Sequence, residues 1–282
     1  MKARRLPRAR RRARVRYEVI RNVQQLVDAI CWAGTTLRSE RLWFRGHACA
    51  GWTVVPKVYR CKRYTRDREV SMTLEFRLRA MARHGRCPEY NDIAEWLSLM
   101  QHHGLPTRLL DWTESPLTAA FFAVAFKKDD GADKDEGKDA AVWALNPGLL
   151  NKIAGWREEV RTFRVELIAP QRATGKRREV DWEKRFRRAV IGAFDDKTES
   201  DGVFAVAPPE IDPRMMVQQS MFTIHGTETP LEESEGADKF LMKFVVPAET
   251  KPALASDLRR LGLRKASLFP DLDNLASELA ET

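Results

Sequence analysis

The chain has 282 residues, 43% of them hydrophobic and eight of them tryptophan, a composition that suits a packed globule and excludes a disordered chain. No apolar run approaches the ~20 residues of a membrane span, and the basic N-terminus is followed by no apolar stretch of a secretory signal, so the expectation is a cytoplasmic protein. The formal charge is +9, but nine of the 49 basic residues fall between Lys2 and Arg16 with no acid among them, which leaves the rest balanced at 40 against 40.

That Lys2–Arg16 block repels itself and fits nucleic-acid phosphate, for which the arginine fork is suited. A solvated tail, or capture by an acidic protein, fits it too. The first 16 residues are therefore expected to be a disordered arm, followed by a single domain over 17–282. Four scattered cysteines, Cys31, Cys49, Cys61 and Cys87, lack the paired spacing of a structural zinc site and read as buried thiols of an intracellular protein.

In chain order, Val15–Ile20 predicts a short strand. Asn22 caps a helix carrying Val23, Leu26, Val27 and Ile30. Arg41–Gly46 predicts a strand ending in glycine, and Gly51–Tyr59 an extended stretch interrupted by Pro56. A long helix over Asp67–His84 would bury Val70, Leu74, Leu78 and Met81. Asn91 or Asp92 opens the next helix, with Ile93, Trp96, Leu97 and Met100 on one face, and Gly104 closes it. Leu105–Thr113 reads as a polar loop leading to Ser115, the cap of a helix with Pro116 in its first turn. Lys127–Asp139 is a charged surface insert, and Ala140–Leu145 a strand. Trp156–Lys197 has no clear pattern. Val203–Ala207, Gln219–Ile224 and Phe240–Val246 predict strands, and Lys251–Leu261 and Asp271–Ala280 helices. Interspersed elements without regular β-α-β alternation predict an α+β fold, a mixed or antiparallel sheet flanked by helices.

The chemistry concentrates in Gln101–Pro116, where two histidines, an arginine, an aspartate and several hydroxyls precede a helix start with unpaired N–H groups. His102 and His103 are adjacent and diverge by about 100° on a helix, so they cannot easily share one metal, and no metal site is expected. Asp111 can pair with Arg108 or with Arg45. Trp43, Phe121 and Phe122 read as core, whereas Trp112, inside the polar stretch, is placed to stack on a base.

Phe44-Arg45-Gly46, the run Gln101–Pro116 continuing into Ala119–Ala125, and Leu261–Ala276 together resemble the FRG-domain family. That resemblance implies a bacterial protein in a toxin or defence setting, with a neutralising antitoxin as a partner. A more distant likeness to ADP-ribosyltransferases implies an ADP-ribosyltransferase-like fold and NAD as substrate, with Arg45, Asp111 and Gln219 catalytic. Arg45, His102, His103, Thr107, Arg108, Trp112, Thr113 and Ser115 would then hold the nucleotide. The family's late-strand glutamate is missing: Gln218-Gln219-Ser220 stands there, and Glu114, Asp111 or Glu228 must supply the charge. A non-catalytic nucleotide or nucleic-acid module, and a metal-dependent nuclease using His102 or His103 with Asp111, are the competing readings.

Overall fold

The computed structural model describes residues 16–125, 137–155, 160–162, 181–195, 197–198, 200–208 and 212–280. The arginine block up to residue 15, most of the charged insert and much of the unpatterned stretch 156–197 lie outside the described residues.

The strands are β1 (Arg16–Val19), β2 (Trp43–His47), β3 (Leu109–Thr113), β4 (Ala140–Leu145), β5 (Arg161–Thr162), β6 (Val203–Ala207), β7 (Ser220–His225) and β8 (Leu241–Val246). They form one open sheet in the order β1-β8-β4-β2-β3-β7-β6-β5. The β1–β8 and β5–β6 pairs are parallel and the others antiparallel, so the sheet is mixed and the fold α+β. The helices are α1 (Val23–Leu37), α2 (Arg66–Ala80), α3 (Ile93–His102), α4 (Pro116–Val124), α5 (Pro147–Ile153), α6 (Asp181–Ile191), α7 (Pro213–Val217), α8 (Ala237–Phe240), α9 (Lys251–Arg260), α10 (Lys265–Leu268) and α11 (Leu272–Ala280).

Side chains alternate across a strand, so each strand feeds both faces of the sheet. One face carries a continuous core of Trp43, Leu110, Trp112, Trp143, Ala205 and Leu241 under α5 and α8. The other face is covered by two separate helix groups. Over the β8-β4-β2 half, Phe44, Val142 and Phe244 pack against α1, α4 and α9. Over the β3-β7-β6 half, Leu109, Phe222 and Phe204 pack against α3 and α6. The two groups meet above β2 and β3, and there the ladder is thinnest: Phe44–Thr113 is the single paired position.

Four expectations are corrected. Leu109–Thr113, expected to be loop, is a central strand. Its Leu-Leu-Asp-Trp-Thr sequence has few β-branched residues, and four of its five side chains are buried on the two faces, so it shows no polar–apolar alternation. In α2 the expected apolar face points outward: Leu74, Leu78 and Met81 are 46, 75 and 70% exposed, whereas Glu69, Thr73, Arg77 and Ala80 are buried. The helix turns its polar side inward because Glu69 meets a buried arginine of β3's leading segment. The thiols are not buried: Cys31 and Cys61 are exposed, and Cys49 and Cys87 half-buried. Gly51–Tyr59 forms no strand and ends in a short 3-10 helix from Val58, whereas Trp43 and Phe121 do lie in the core.

Candidate functional site

The tripeptide at the end of β2 divides its work by side-chain parity. Phe44 enters the core under α1 and α4. Gly46 lies on the same side, directly beneath α4, where an added Cβ would sit 2.0 Å from the Ala119 carbonyl oxygen and 2.7 Å from the Ala123 nitrogen. Arg45, between them, points to the opposite face and bends into the opening between β2 and β3. Its Nη1 donates 2.6 Å to the Asp111 carbonyl oxygen and lies 3.9 Å from the Asp111 carboxylate. The Arg45 side chain is 16% exposed and that of Asp111 55%. Burial pulls the guanidinium down to about 10, with Asp111 opposing, so it is charged at neutral pH.

His47 fixes the arginine from behind. Two residues along the strand and 2% exposed, it accepts 3.0 Å from Arg45 Nε at its Nε2. Trp143 Nε1 donates 3.3 Å to its Nδ1, and the Trp52 backbone also bonds the ring. Burial, then the charges of Arg45, Arg60 and Lys243, hold His47 well below the usual imidazole range, so it stays a neutral acceptor.

Asp111 gathers the rest. Gln101, at the end of α3, donates 2.8 Å from Nε2 to its carboxylate and accepts 2.6 Å from Thr107 Oγ1. Arg60 and Arg214 both lie within electrostatic reach of Asp111. Burial lowers the affinity of each for its proton and the aspartate's charge counters it. Arg214, on α7, is stacked 4.3 Å from the centre of the Phe269 ring. Arg45 thus contacts an exposed carboxylate whose field also reaches Arg60 and Arg214, the latter countered by Asp212 and Asp271 as well.

The remaining predicted residues fall into different roles. Arg108 is 2% exposed and bound to Glu69 through two hydrogen bonds of 2.8 and 2.6 Å, with the Ala189 and Gly192 carbonyls accepting its other protons. Its fork is filled by protein, which corrects both the nucleotide role and the pairing with Asp111. Trp112 is 3% exposed and its Nε1 donates 3.0 Å to Thr223 Oγ1, so it stacks on no ligand. Thr113 donates 2.6 Å to the Gln218 carbonyl and accepts from Ser115 N, while Ser115 caps α4. His102 Nε2 is 3.5 Å from an Asp212 carboxylate oxygen, and burial lowers its proton affinity more than Asp212 raises it. His103 packs against the His84 and Phe76 rings. Gln219 precedes β7 with a left-handed φ of 48°, exposed, and its carbonyl accepts from Glu114 N. It therefore presents no strand-borne side chain towards Arg45.

A buried network that the motif did not signal lies beside the arginine. Thr223 Oγ1 accepts from Trp112 Nε1 and lies 2.9 Å from His225 Nε2. His225 is fully buried, its Nδ1 has no partner among the described residues, and burial together with the Arg45 charge holds it at about 3. Tyr59 closes this side by donating 2.9 Å to the His225 carbonyl. His47 was within reach of sequence reasoning, since it shares Arg45's strand face; Arg60, Arg214 and His225 are assembled only by the tertiary fold.

A concavity of about 1130 Å³ lined by Arg38, Arg41, Leu42, Phe44, Glu114 and Pro116 includes neither Arg45 nor Asp111, and of the candidate charge donors holds Glu114. Among the described residues, no three of His, Cys, Asp and Glu are grouped to hold a metal ion, and no helix is long and apolar enough to cross a membrane. No curated protein and no solved structure matches the chain. Residues 40–132 match the family model of the FRG domain, a span that contains β2, α2, α3, β3 and α4 with Arg45, His47, Arg60, Gln101 and Asp111. The chain therefore carries an FRG domain, and that domain supplies most of the cluster around Asp111.

Proposed function

We propose that the opening between β2 and β3 binds NAD and that the chain transfers its ADP-ribosyl group to an acceptor, as a toxin or defence effector would. The observation that carries this reading is the contact of Arg45 with the exposed Asp111, with Arg60 and Arg214 in the same field. Asp212 and Asp271 also counter Arg214, so Arg45 and Arg60 against Asp111 supply the cationic surplus that suits a phosphate. Arginine forks bind phosphate bidentately and keep their charge when partly desolvated. Cleaving the bond between nicotinamide and ribose builds positive charge on the sugar, and a fixed carboxylate stabilises it. Asp111, oriented by Gln101 and Arg45, takes that part in place of the missing glutamate. In the transfer, the ribose C1′–nitrogen bond breaks and nicotinamide leaves with the bonding pair. The acceptor nucleophile bonds to C1′ and gives up its proton.

Incubation with NAD labelled on the adenylate phosphate and a cell extract tests this. The label is expected to move to an acceptor with the wild-type chain and not with Arg45→Lys or Asp111→Asn. No transfer, together with no binding of NAD, would remove the reading. A second reading, a nucleotide-binding module without catalysis, is favoured by one observation: the Asp111 carboxylate already accepts from Gln101 and neighbours Arg45, as a structural acid would. Binding of NAD without transfer to any acceptor selects it. His102 sits against Asp212 rather than Asp111, so no geometry favours the nuclease.

A further inference from the structure

The segment Lys57–Arg68, which leads from the cleft into α2, carries six cations (Lys57, Arg60, Lys62, Arg63, Arg66 and Arg68) against one acid, Asp67. Two of them are occupied by the protein: Lys57 donates 2.8 Å to the Gly104 carbonyl, and Arg66 donates to the Thr198 carbonyl. Lys62, Arg63 and Arg68 are exposed and, among the described residues, form no ion pair. A charge run alone is usually a solvated surface, but this one starts five residues beyond an exposed aromatic side chain, Trp52. Trp52 is 41% exposed, and its ring centre lies 5.9 Å from that of His47, which bonds Arg45 and feels the charge of Arg60. An exposed tryptophan beside an arginine-bearing strip is the combination that holds a single strand, with phosphates on the cations and a base on the ring.

We propose that Trp52, Arg60, Lys62, Arg63 and Arg68 form a binding surface for a single-stranded polynucleotide, which is the acceptor class presented to the cleft. The acceptor role rests on the NAD reading; the binding does not. A double helix has its bases stacked internally and offers the ring nothing, and an acidic protein offers the strip charge but leaves Trp52 unused.

The test is fluorescence anisotropy with the full chain, without NAD, across a salt series. The probes are unstructured RNA and DNA strands of about twelve nucleotides, with a duplex and poly-glutamate as competitors. The strand is expected to bind, RNA or DNA whichever is tighter. The triple variant Lys62→Gln, Arg63→Gln, Arg68→Gln is expected to reduce the log–log salt slope by about two, since each lost phosphate contact removes about 0.7. Trp52→Ala is expected to weaken binding at least about fivefold at an unchanged slope, and Trp52→Phe to recover most of it. Wild-type affinity and slope in the triple variant would overturn the proposal, as would equal displacement by poly-glutamate of the same charge. Because NAD is absent, a negative result here leaves the cleft reading standing, and loss of NAD binding leaves this result standing.

Discussion

Gly46 and Arg45 illustrate how adjacent residues are held by opposite constraints. Glycine is required because the α4 backbone crosses β2 with no room for a methyl group, and its neighbour then faces the gap between strands. Both obstructing atoms belong to the backbone, so little can yield. Gly46→Ala is expected to cost about 3 kcal/mol or more, measured by urea unfolding, the upper end for overpacking. A change below about 0.5 kcal/mol would mean that α4 shifts freely. The place of Arg45 on a strand, beside the Asp111 segment, was legible from the motif around it. That of His47 was legible only through the period of two along the strand. Arg108 and Trp112 misled because they stand in a polar sequence yet point into the core. Residue type alone carries no burial; the partners Glu69 and Thr223 lie 39 and 111 residues away.

Among the elements, α2 is the clearest departure from sequence periodicity. Its apolar residues suggested a buried stripe, but an ion pair captured the polar side instead. Glu69 is 2% exposed and holds Arg108, which ties α2 to β3's leading segment and to the end of α6 through the Ala189 and Gly192 carbonyls. Tyr64 joins the same carboxylate at 3.0 Å, and burial and Glu69 push its hydroxyl up to about 12. For Arg108, burial is the largest single influence and opposes the charge, but the Glu69 hydrogen bonds together with the Tyr59, Glu69 and Tyr64 charges outweigh it and raise its proton affinity. Removing one partner leaves a buried charge unpaired. Glu69→Gln is expected to destabilise by about 3–5 kcal/mol in denaturant unfolding, while the double change Glu69→Leu, Arg108→Met costs less than that single change. A double variant as damaged as the sum of the singles would show that packing, not charge, holds this junction. The strand β3 was hidden by the same kind of conflict: Asp111 and Thr113 gave a loop-like composition to a segment whose pairing with β7 extends over five positions.

Over the whole molecule, the α+β class and most strands followed from hydrophobic runs, and the sheet order did not. Residues that meet at the site span Arg45 to His225, and no local pattern brings β2 next to β3 and β7. The same assembly buries two neutral histidines, His47 and His225, beside a cationic cluster. Both bind protons more weakly in the folded state than in the unfolded chain. Their stabilising contribution is therefore complete at neutral pH and is lost as pH falls below about 6.5. For His225, held at about 3, the slope below about 6.5 is about 1.4 kcal/mol per pH unit, and His47 acts in the same direction. Urea unfolding at about pH 7.5 and about pH 5 is expected to differ by about 2 kcal/mol from His225 alone. Replacing His225 with phenylalanine should remove about that much of the dependence.

The central proposal is that the opening between β2 and β3 holds a nucleotide. Isothermal titration of the full chain with NAD tests it most directly, using Arg45→Lys as the comparison and its unfolding curve as the check on folding. The wild-type chain is expected to bind one equivalent, and the folded lysine variant to bind at least about tenfold more weakly, because an ammonium cannot replace the fork that spans the strands. An absence of binding heat to the wild-type chain across a temperature series, or equal affinity in the two proteins, would contradict it.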